Sequence, residues 1–274
     1  MRGVLAVLVM IGSGCGRLHF DLFGGDTGGS ADAARGDGDL PSGDGALPTG
    51  DGDALVTCTT NPGLGASGCL AGTGPYDLWV FHDVVAGVVP DSSGRGCVPL
   101  SGGAVVVVAD GIDTTNGTLG SSPGDAAATF TAIEAASGVT LELWAHTTNT
   151  PGANADMAAL SDAGGARTRL VQSTTFSGGN VSGMGTSTPY STRNFPDGTT
   201  QHLVITSDGA GVRYFITDYE TASGSALTFA WMPASAQITF GPWTGTVVRA
   251  AVYDRSLSNA EILCLNSAGV ARLP

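Results

Sequence analysis

Short runs in which apolar and polar residues alternate recur through the second half of this chain and leave few architectures open. Val139–Ala145 places four apolar residues on one side of a strand and Thr, Glu and Trp on the other. His202–Ser207 and Val212–Asp218 are two similar runs joined by Asp-Gly-Ala-Gly, which predicts a hairpin. Gln237–Phe240 and Thr246–Tyr253 add two more. The pattern predicts a domain of short antiparallel strands.

Two weaker strand candidates, Gly103–Ala109 and Ala126–Ile133, precede these runs. The composition agrees with a β-rich chain, because there is no Lys and only 4 of the 24 acidic residues are Glu, so good helix formers are scarce. The formal net charge of −13 disfavours a nucleic-acid binder, since affinity for a phosphate backbone depends on clustered cations.

One helix is well marked near the end of the chain. Ser258 and Glu261 form a capping box, in which the hydroxyl and the carboxylate each satisfy an open backbone amide. We expect this helix to turn Ile262 and Leu265 towards the domain and to end at Gly269.

The start of the chain predicts export. Arg2 is followed by an apolar run of eight residues, Val4–Ile11, which is typical of a secretory signal over residues 1–14 and too short to span a bilayer. Gly-Ser-Gly and then Cys15 resemble the cleavage site of bacterial lipoproteins, which implies that Cys15 carries the lipid. The alternative is an ordinary signal peptide with an incidental Cys. In lipoproteins, a Gly such as Gly16 after the lipidated Cys is typical of the outer membrane, so we expect an exported protein that is lipid-anchored in the cell envelope.

A linker is expected between this anchor and the domain. Residues 15–56 are rich in Gly and Asp and contain few large apolar groups, so they cannot bury enough surface to offset the entropy of ordering. Residues 57–274 have the length and apolar content of one β-sandwich domain.

The predicted domain contains four cysteines, Cys58, Cys69, Cys97 and Cys264. An even number in an exported chain predicts two disulfides, with three possible pairings. We favour Cys58–Cys69 as a local link and Cys97–Cys264 as a link between the two ends of the domain. A zinc site is the alternative, but the domain has no C-x₂-C pair.

Four blocks of the domain resemble the motifs of one family and follow its order. The blocks are YDLWVFHD with the later DSSGRG (Tyr76–Gly96), VTLELWAH (Val139–His146), PDGTTQHLVITSDG (Pro196–Gly209) and VRAAVYDRSLSNAEI (Val248–Ile262). The family is the laminin-G-like or concanavalin A-like lectin/glucanase jelly roll. Gln201 departs from the pattern, where the family usually has Trp or His. The resemblance implies an all-β fold, a two-sheet antiparallel jelly-roll sandwich with one short C-terminal helix.

The carboxylates do not match those of the hydrolases that share this fold. Such enzymes place paired acids on one strand, in an E-x-D-x-x-E pattern. The domain has four Glu: Glu134, Glu142, Glu220 and Glu261. Only Glu142 lies within a predicted strand, and Trp144 and Thr147 occupy the other acidic positions of the pattern. We therefore predict no catalytic residues, and we expect His82, His146 and His202 to be packed or surface residues.

Calcium is the ion that the resemblance implies, since many relatives hold one and its oxygen ligands suit an Asp-rich domain. Asp91 in DSSGRG is the first candidate ligand, because the surrounding Ser and Gly residues can turn the chain and offer carbonyl groups. Asp83 and Asp254 are weaker candidates. The alternative is that Asp91 caps a turn through the backbone beside it.

Aromatic residues in loops are the candidate ligand-binding groups, because a flat ring can stack on a sugar. Trp243, Tyr190 and Trp231 lie in Gly-, Pro- and Ser-rich loops, whereas Trp79 and Trp144 occupy strands and are expected in the core. Residues 147–200 are expected to form variable strands and loops that could determine specificity. The leading hypothesis is a non-catalytic surface lipoprotein that binds carbohydrate or a glycosylated partner. The alternative is a structural or adhesion module that makes protein contacts in the envelope.

Overall fold

The alternating segments assemble into two antiparallel sheets. The computed structural model describes residues 69–70, 72–147, 154–173, 177–181, 198–224 and 227–270. The strands within these residues are β1 Asp77–Val80, β2 Ser101–Gly103, β3 Val106–Val108, β4 Gly111–Asp113, β5 Thr118–Gly120, β6 Val139–Thr147, β7 Ala155–Asp162, β8 Gly165–Gln172, β9 Ser177–Val181, β10 Gln201–Ser207, β11 Val212–Ile216, β12 Tyr219–Ser223, β13 Gln237–Phe240 and β14 Gly245–Tyr253. The helices are α1 Ala127–Ala136 and α2 Asn259–Ala268.

The first sheet has the order β12-β11-β10-β6-β14-β4-β3, with β1 paired to β14, and the second has the order β2-β5-β13-β7-β8-β9. One side of each sheet contributes to a shared apolar core. Trp79 and Phe81 from the first sheet both make edge contacts with Phe240 of the second, at ring centroid distances of 5.7 and 5.1 Å. The two-sheet antiparallel jelly-roll sandwich is therefore confirmed.

Most of the predicted strands are confirmed, and one is wrong. Ala126–Ile133 lies largely in helix α1. Half of this helix is Ala, the best helix former, and Phe130 and Ile133 lie about one turn apart on its buried side. The domain thus has a helix besides the predicted C-terminal one. The candidate Gly103–Ala109 is divided between β2 and β3 at Ala104, whose φ of 58° interrupts an extended strand.

The C-terminal helix α2 follows the prediction in detail. Ser258 accepts a hydrogen bond from the Glu261 backbone N–H while the Glu261 carboxylate accepts one from the Ser258 N–H, and Gly269 ends the helix. Ile262 and Leu265 are buried in a second apolar cluster with side chains from the outer face of the first sheet. No helix among the described residues is long and apolar enough to cross a membrane.

The disulfides do not follow the favoured pairing. Cys69 is bonded to Cys264, which joins the segment before β1 to α2, with Cα atoms 5.3 Å apart. Cys97 is also disulfide-bonded, and its partner lies outside the described residues. The pairings Cys58–Cys69 and Cys97–Cys264 are both wrong. Spacing along the chain could not decide this, because α2 is brought back beside the start of the domain by its packing on the first sheet.

Candidate functional site

The loop aromatics that were predicted to bind a ligand lie inside the domain. Trp243 is 1 % exposed, and its Nε1 donates a hydrogen bond to Oε1 of Gln172 on β8. Trp231 is 5 % exposed and packs on Phe130 of α1, with ring centroids 5.0 Å apart. Both predictions are therefore wrong, because each loop turns its ring into the core rather than towards solvent. Tyr190 lies outside the described residues.

The three candidate calcium ligands have other partners. The Asp91 carboxylate is buried and accepts hydrogen bonds from the backbone N–H groups of Leu78, Ser93 and Val98, at 2.9, 2.8 and 3.2 Å. The contact with Ser93 is the turn cap that was the alternative interpretation. Asp83 is exposed and lies beside His82, at 3.3 Å.

Asp254 pairs with Arg95, whose Nη2 lies 2.8 Å from its Oδ2. Within the described residues, no group of three or more His, Cys, Asp or Glu side chains could hold a metal ion. The three predicted ligands thus do not form a calcium site together, and calcium binding by Asp91 stays a prediction.

A second buried acid lies beside Asp91, and the sequence reading missed it. Asp77 on β1 is fully buried; its Oδ2 accepts a hydrogen bond of 2.7 Å from Thr129, and its Oδ1 has no hydrogen-bond donor among the described residues. A Cβ at Gly96 would come within 1.6 Å of that Oδ1, so only glycine fits there. Burial raises the pKa of Asp77 well above its usual range, and the charge of Asp91 raises this pKa further.

Glu142, the one mid-strand Glu, also lies away from solvent. Its Oε1 accepts a hydrogen bond from Trp144 Nε1 at 3.0 Å and lies 3.1 Å from His202 Nε2, and its Oε2 accepts one from the Tyr253 hydroxyl at 2.7 Å. The Trp144 and His202 rings stack with centroids 4.4 Å apart. Every member of this cluster is buried, so the Glu142 carboxylate lies within a hydrogen-bonded network of side chains and not on an exposed surface.

The outward side of the second sheet is partly exposed: Ser101 is exposed, Gly120, Thr239 and Arg169 are half-buried, and Ala159 is buried. Strand register places Ser101, Gly120, Thr239, Ala159 and Arg169 directly opposite one another, in that order, across β2, β5, β13, β7 and β8. The neighbouring residues Leu119, Phe240, Ala158 and Leu170 point into the core. The first row therefore faces outwards, and we call it the second-sheet face.

The second-sheet face is polar and shallow. At the usual spacing of strands it extends for about 19 Å. Gly120 and Ala159 leave its middle low, Thr239 adds a partly exposed hydroxyl, and Arg169 stands at one end beside Asp156. Hydroxyl, guanidinium and carboxylate groups together offer both donors and acceptors, which is what a polyhydroxylated ligand requires.

The sequence could not predict the second-sheet face, because the row depends on sheet register. The alternation in Arg167-Thr168-Arg169-Leu170 marks β8 as a strand with its arginines on one side. The register that brings Arg169 beside Ala159 and Thr239 depends on strands far apart in the chain, and no local signal encodes it.

Comparison with known families and structures agrees with this fold. Residues 120–263 match the family described as the Concanavalin A-like lectin/glucanases superfamily, over slightly more than half of the chain. The chain belongs to this superfamily, as the four motif blocks indicated. No curated protein sequence matches it.

Several solved structures share the fold. Trypanosoma rangeli sialidase in complex with the inhibitor DANA has a TM-score of 0.57 and 17 % identity, over 77 % of this chain and 36 % of the sialidase. The ligand binding domain of botulinum neurotoxin serotype D, in complex with N-acetylneuraminic acid, has a TM-score of 0.51 and 8 % identity, over 71 % of this chain and 51 % of that domain. The chain thus spans about a third of the sialidase. At these identities the likeness extends to the fold alone.

Proposed function

We propose that this protein is a carbohydrate-binding module without catalytic activity, and that it binds its ligand on the second-sheet face. The observation that carries the proposal is the partly exposed polar row from Ser101 to Arg169, on a fold that lectins share. The absence of catalysis is supported by Glu142, the mid-strand Glu, which is buried and hydrogen-bonded to three side chains. The serotype D toxin domain, solved with a sugar acid, supports a sugar ligand for the fold in general.

A bulky residue in the middle of the second-sheet face is expected to abolish binding. Thr239→Tyr places a ring over the low surface formed by Gly120 and Ala159, and the strand tolerates it because tyrosine favours β-structure. In this variant we expect the glycan-array signals that the wild type gives to fall at least about tenfold, which corresponds to a loss of about 1.4 kcal/mol in binding free energy.

The matched control is Ala222→Tyr, at the exposed position of β12 on the edge of the first sheet. It should keep the wild-type array profile. The proposal fails if no glycan binds to the wild type, or if Thr239→Tyr binds as well as the control while both variants melt near the wild-type temperature. Release of sugar from any glycan by the purified wild type would contradict the absence of catalysis.

One observation favours the alternative of an adhesion module. Val106 and Val107, on the edge strand β3, are 54 % and 50 % exposed, and Val85 is 67 % exposed. Exposed apolar residues at a sheet edge are typical of protein contacts. If the glycan array is empty, and Val106→Asp with Val107→Asp disrupts a complex isolated from envelopes, the adhesion function replaces the carbohydrate-binding one.

We also propose that Cys15 anchors the protein in a bacterial cell envelope through attached lipid, with residues 15–56 as the linker. The support is the apolar run before Gly-Ser-Gly-Cys. The expected result is that the wild-type protein partitions with membranes and incorporates labelled palmitate, whereas Cys15→Ser does neither. Incorporation of label by Cys15→Ser at the wild-type level would contradict the anchor.

A further inference from the structure

We propose that the second-sheet face selects carboxylated saccharides, and that Arg169 is the residue that binds their carboxylate group. This inference rests on the proposed function and narrows its ligand to acidic sugars, such as uronic and sialic acids.

Among the arginines that the structure describes, Arg169 has the weakest hydrogen bonds and ion pairs within the protein. Arg95 and Arg255 each place two guanidinium nitrogens near one acid, Asp254 and Glu261 respectively. Arg167 donates from its Nε to Asp162 at 2.7 Å. These three guanidinium groups are therefore held by short contacts within the protein.

The other two described arginines are also engaged. Arg213 donates to the Leu257 carbonyl and to Ser256 beside α2, at 2.7 and 3.0 Å. Arg249 is buried. Among the described arginines, Arg169 on β8 is therefore the candidate cation for a ligand on the second sheet.

Within the part of the chain that the structure describes, the side chain of Arg169 has one polar contact, and that contact is long. Its Nη1 lies 3.5 Å from Asp156 Oδ1, its Nε has no hydrogen-bond partner among the described residues, and both side chains are 39 % exposed. A contact of 3.5 Å is at the limit of a hydrogen bond, and a guanidinium has five N–H donors in a fixed fork. The Nε is buried, so the donors that a ligand can reach are those of the two Nη atoms, of which only Nη1 has a partner, Asp156, among the described residues.

The surroundings of Arg169 allow a ligand to approach it. Ala159, the residue opposite on β7, has the smallest side chain that could stand there apart from glycine, and Thr239 follows on β13. A saccharide lying along this row can place a carboxylate against the guanidinium, which donates two parallel hydrogen bonds to it. Its hydroxyl groups then meet the Thr239 hydroxyl and the Asp156 carboxylate.

The overall negative charge of the chain does not oppose this assignment. At physiological ionic strength, charges more than about 8 Å apart are largely screened, so the local balance decides. On β8 the two arginines face two acids, Asp156 and Asp162, and the Asp162 carboxylate is fully occupied by Arg167 and by the backbone N–H groups of Gly164 and Met232.

The test compares ligands that differ only in the carboxylate. Binding of the purified full chain is measured by calorimetry against sialyllactose and its methyl ester, and against oligogalacturonate and its methyl ester. The wild type should prefer the acid of each pair by about tenfold or more, since a hydrogen-bonded charge pair is among the stronger polar contacts. Arg169→Gln should remove that preference, so that the acid and the neutral member of each pair bind to the variant with equal affinity.

Two variants serve as controls. Arg169→Lys keeps the charge but loses the fork, so it should regain only part of the preference. Arg95→Gln removes the same charge near the end of β14 and should bind like the wild type. The inference is overturned if Arg169→Gln still prefers the acid, or if the wild type prefers the neutral member while Thr239→Tyr abolishes binding. If the wild type prefers the neutral member and Thr239→Tyr abolishes binding, carbohydrate binding on the second-sheet face stands and selection of acidic sugars does not. If the wild type binds no saccharide, both proposals fail.

Discussion

The wild-type protein should become less stable as the pH rises from about 4 towards neutrality, and Asp77→Asn should remove most of this effect. Asp77 and Asp91 are two buried acids next to each other, and burial together with the charge of Asp91 raises the pKa of Asp77 well above its usual range. Asp91 accepts hydrogen bonds from three backbone N–H groups. Asp77 is therefore the member that keeps a proton.

The sign of the effect follows from where the proton is lost first. Below a pH of about 3.9, Asp77 is protonated in both the folded and the unfolded chain, and the folded state has its full stability. At higher pH the unfolded chain releases the proton while the folded chain retains it. The free energy of unfolding then falls with a slope of up to about 1.4 kcal/mol per pH unit until the pH passes the raised pKa. Arg95 opposes this shift in part, because its positive charge lowers the pKa of Asp77.

Asparagine reproduces the protonated form of Asp77. Its carbonyl oxygen can accept the hydrogen bond from Thr129, and its amide can donate towards Asp91, so the network is kept without a titrating group. Near neutral pH we expect Asp77→Asn to be more stable than the wild type, because burial raises the pKa of Asp77 and the amide does not titrate.

Urea unfolding at a series of pH values between 4 and 8 measures this difference. The control is Asp83→Asn, which makes the same chemical change at an exposed side chain and should follow the wild-type curve. A wild-type slope retained in Asp77→Asn would contradict the prediction.

The same proteins test the calcium prediction, since an ion held between Asp77 and Asp91 would raise the melting temperature of the wild type and not that of Asp77→Asn.

The sequence predicted strands and helices correctly where the signal lies within a single element. The alternation of Val139–Ala145 and the capping box of Ser258 and Glu261 each depend on residues within one element, and β6 and α2 lie where these signals placed them. The error at Ala126–Ile133 has the same local origin, because β-branched and aromatic residues among alanines fit either a strand or a helix, and packing of Phe130 in the core decided for the helix.

The candidate site was harder to predict because it depends on contacts between distant segments. Trp243 lies in a loop, which suggests exposure, yet its indole finds an acceptor on Gln172 about seventy residues away and is buried. For Asp77 a usable signal existed. It stands two residues before Trp79, which was expected in the core, so the period of a strand places the acid on the same inward side. The pairing of Arg169 with Ala159 and Thr239 had no such signal, since it is a matter of sheet register.

Removing the disulfide between Cys69 and Cys264 should lower the free energy of unfolding by several kcal/mol. The bond closes a loop of 195 residues. In the chain-entropy account, a cross-link over a loop of that length disfavours the unfolded state by about 5 kcal/mol, which is an upper estimate. The double variant Cys69→Ala with Cys264→Ala is thus expected to lose about 2–5 kcal/mol, a large part of the 5–15 kcal/mol that stabilises a typical domain.

The structure also indicates how that loss should appear. Ile262 and Leu265 still hold α2 against the first sheet without the disulfide, so the folded state should keep its circular dichroism spectrum while the urea midpoint falls. Leu263→Ala, at an exposed position of the same helix, is the matched control and should change stability by less than about 0.5 kcal/mol. If the double variant instead unfolded at the wild-type midpoint, the cross-link would contribute nothing, and packing of α2 would be sufficient to close the domain.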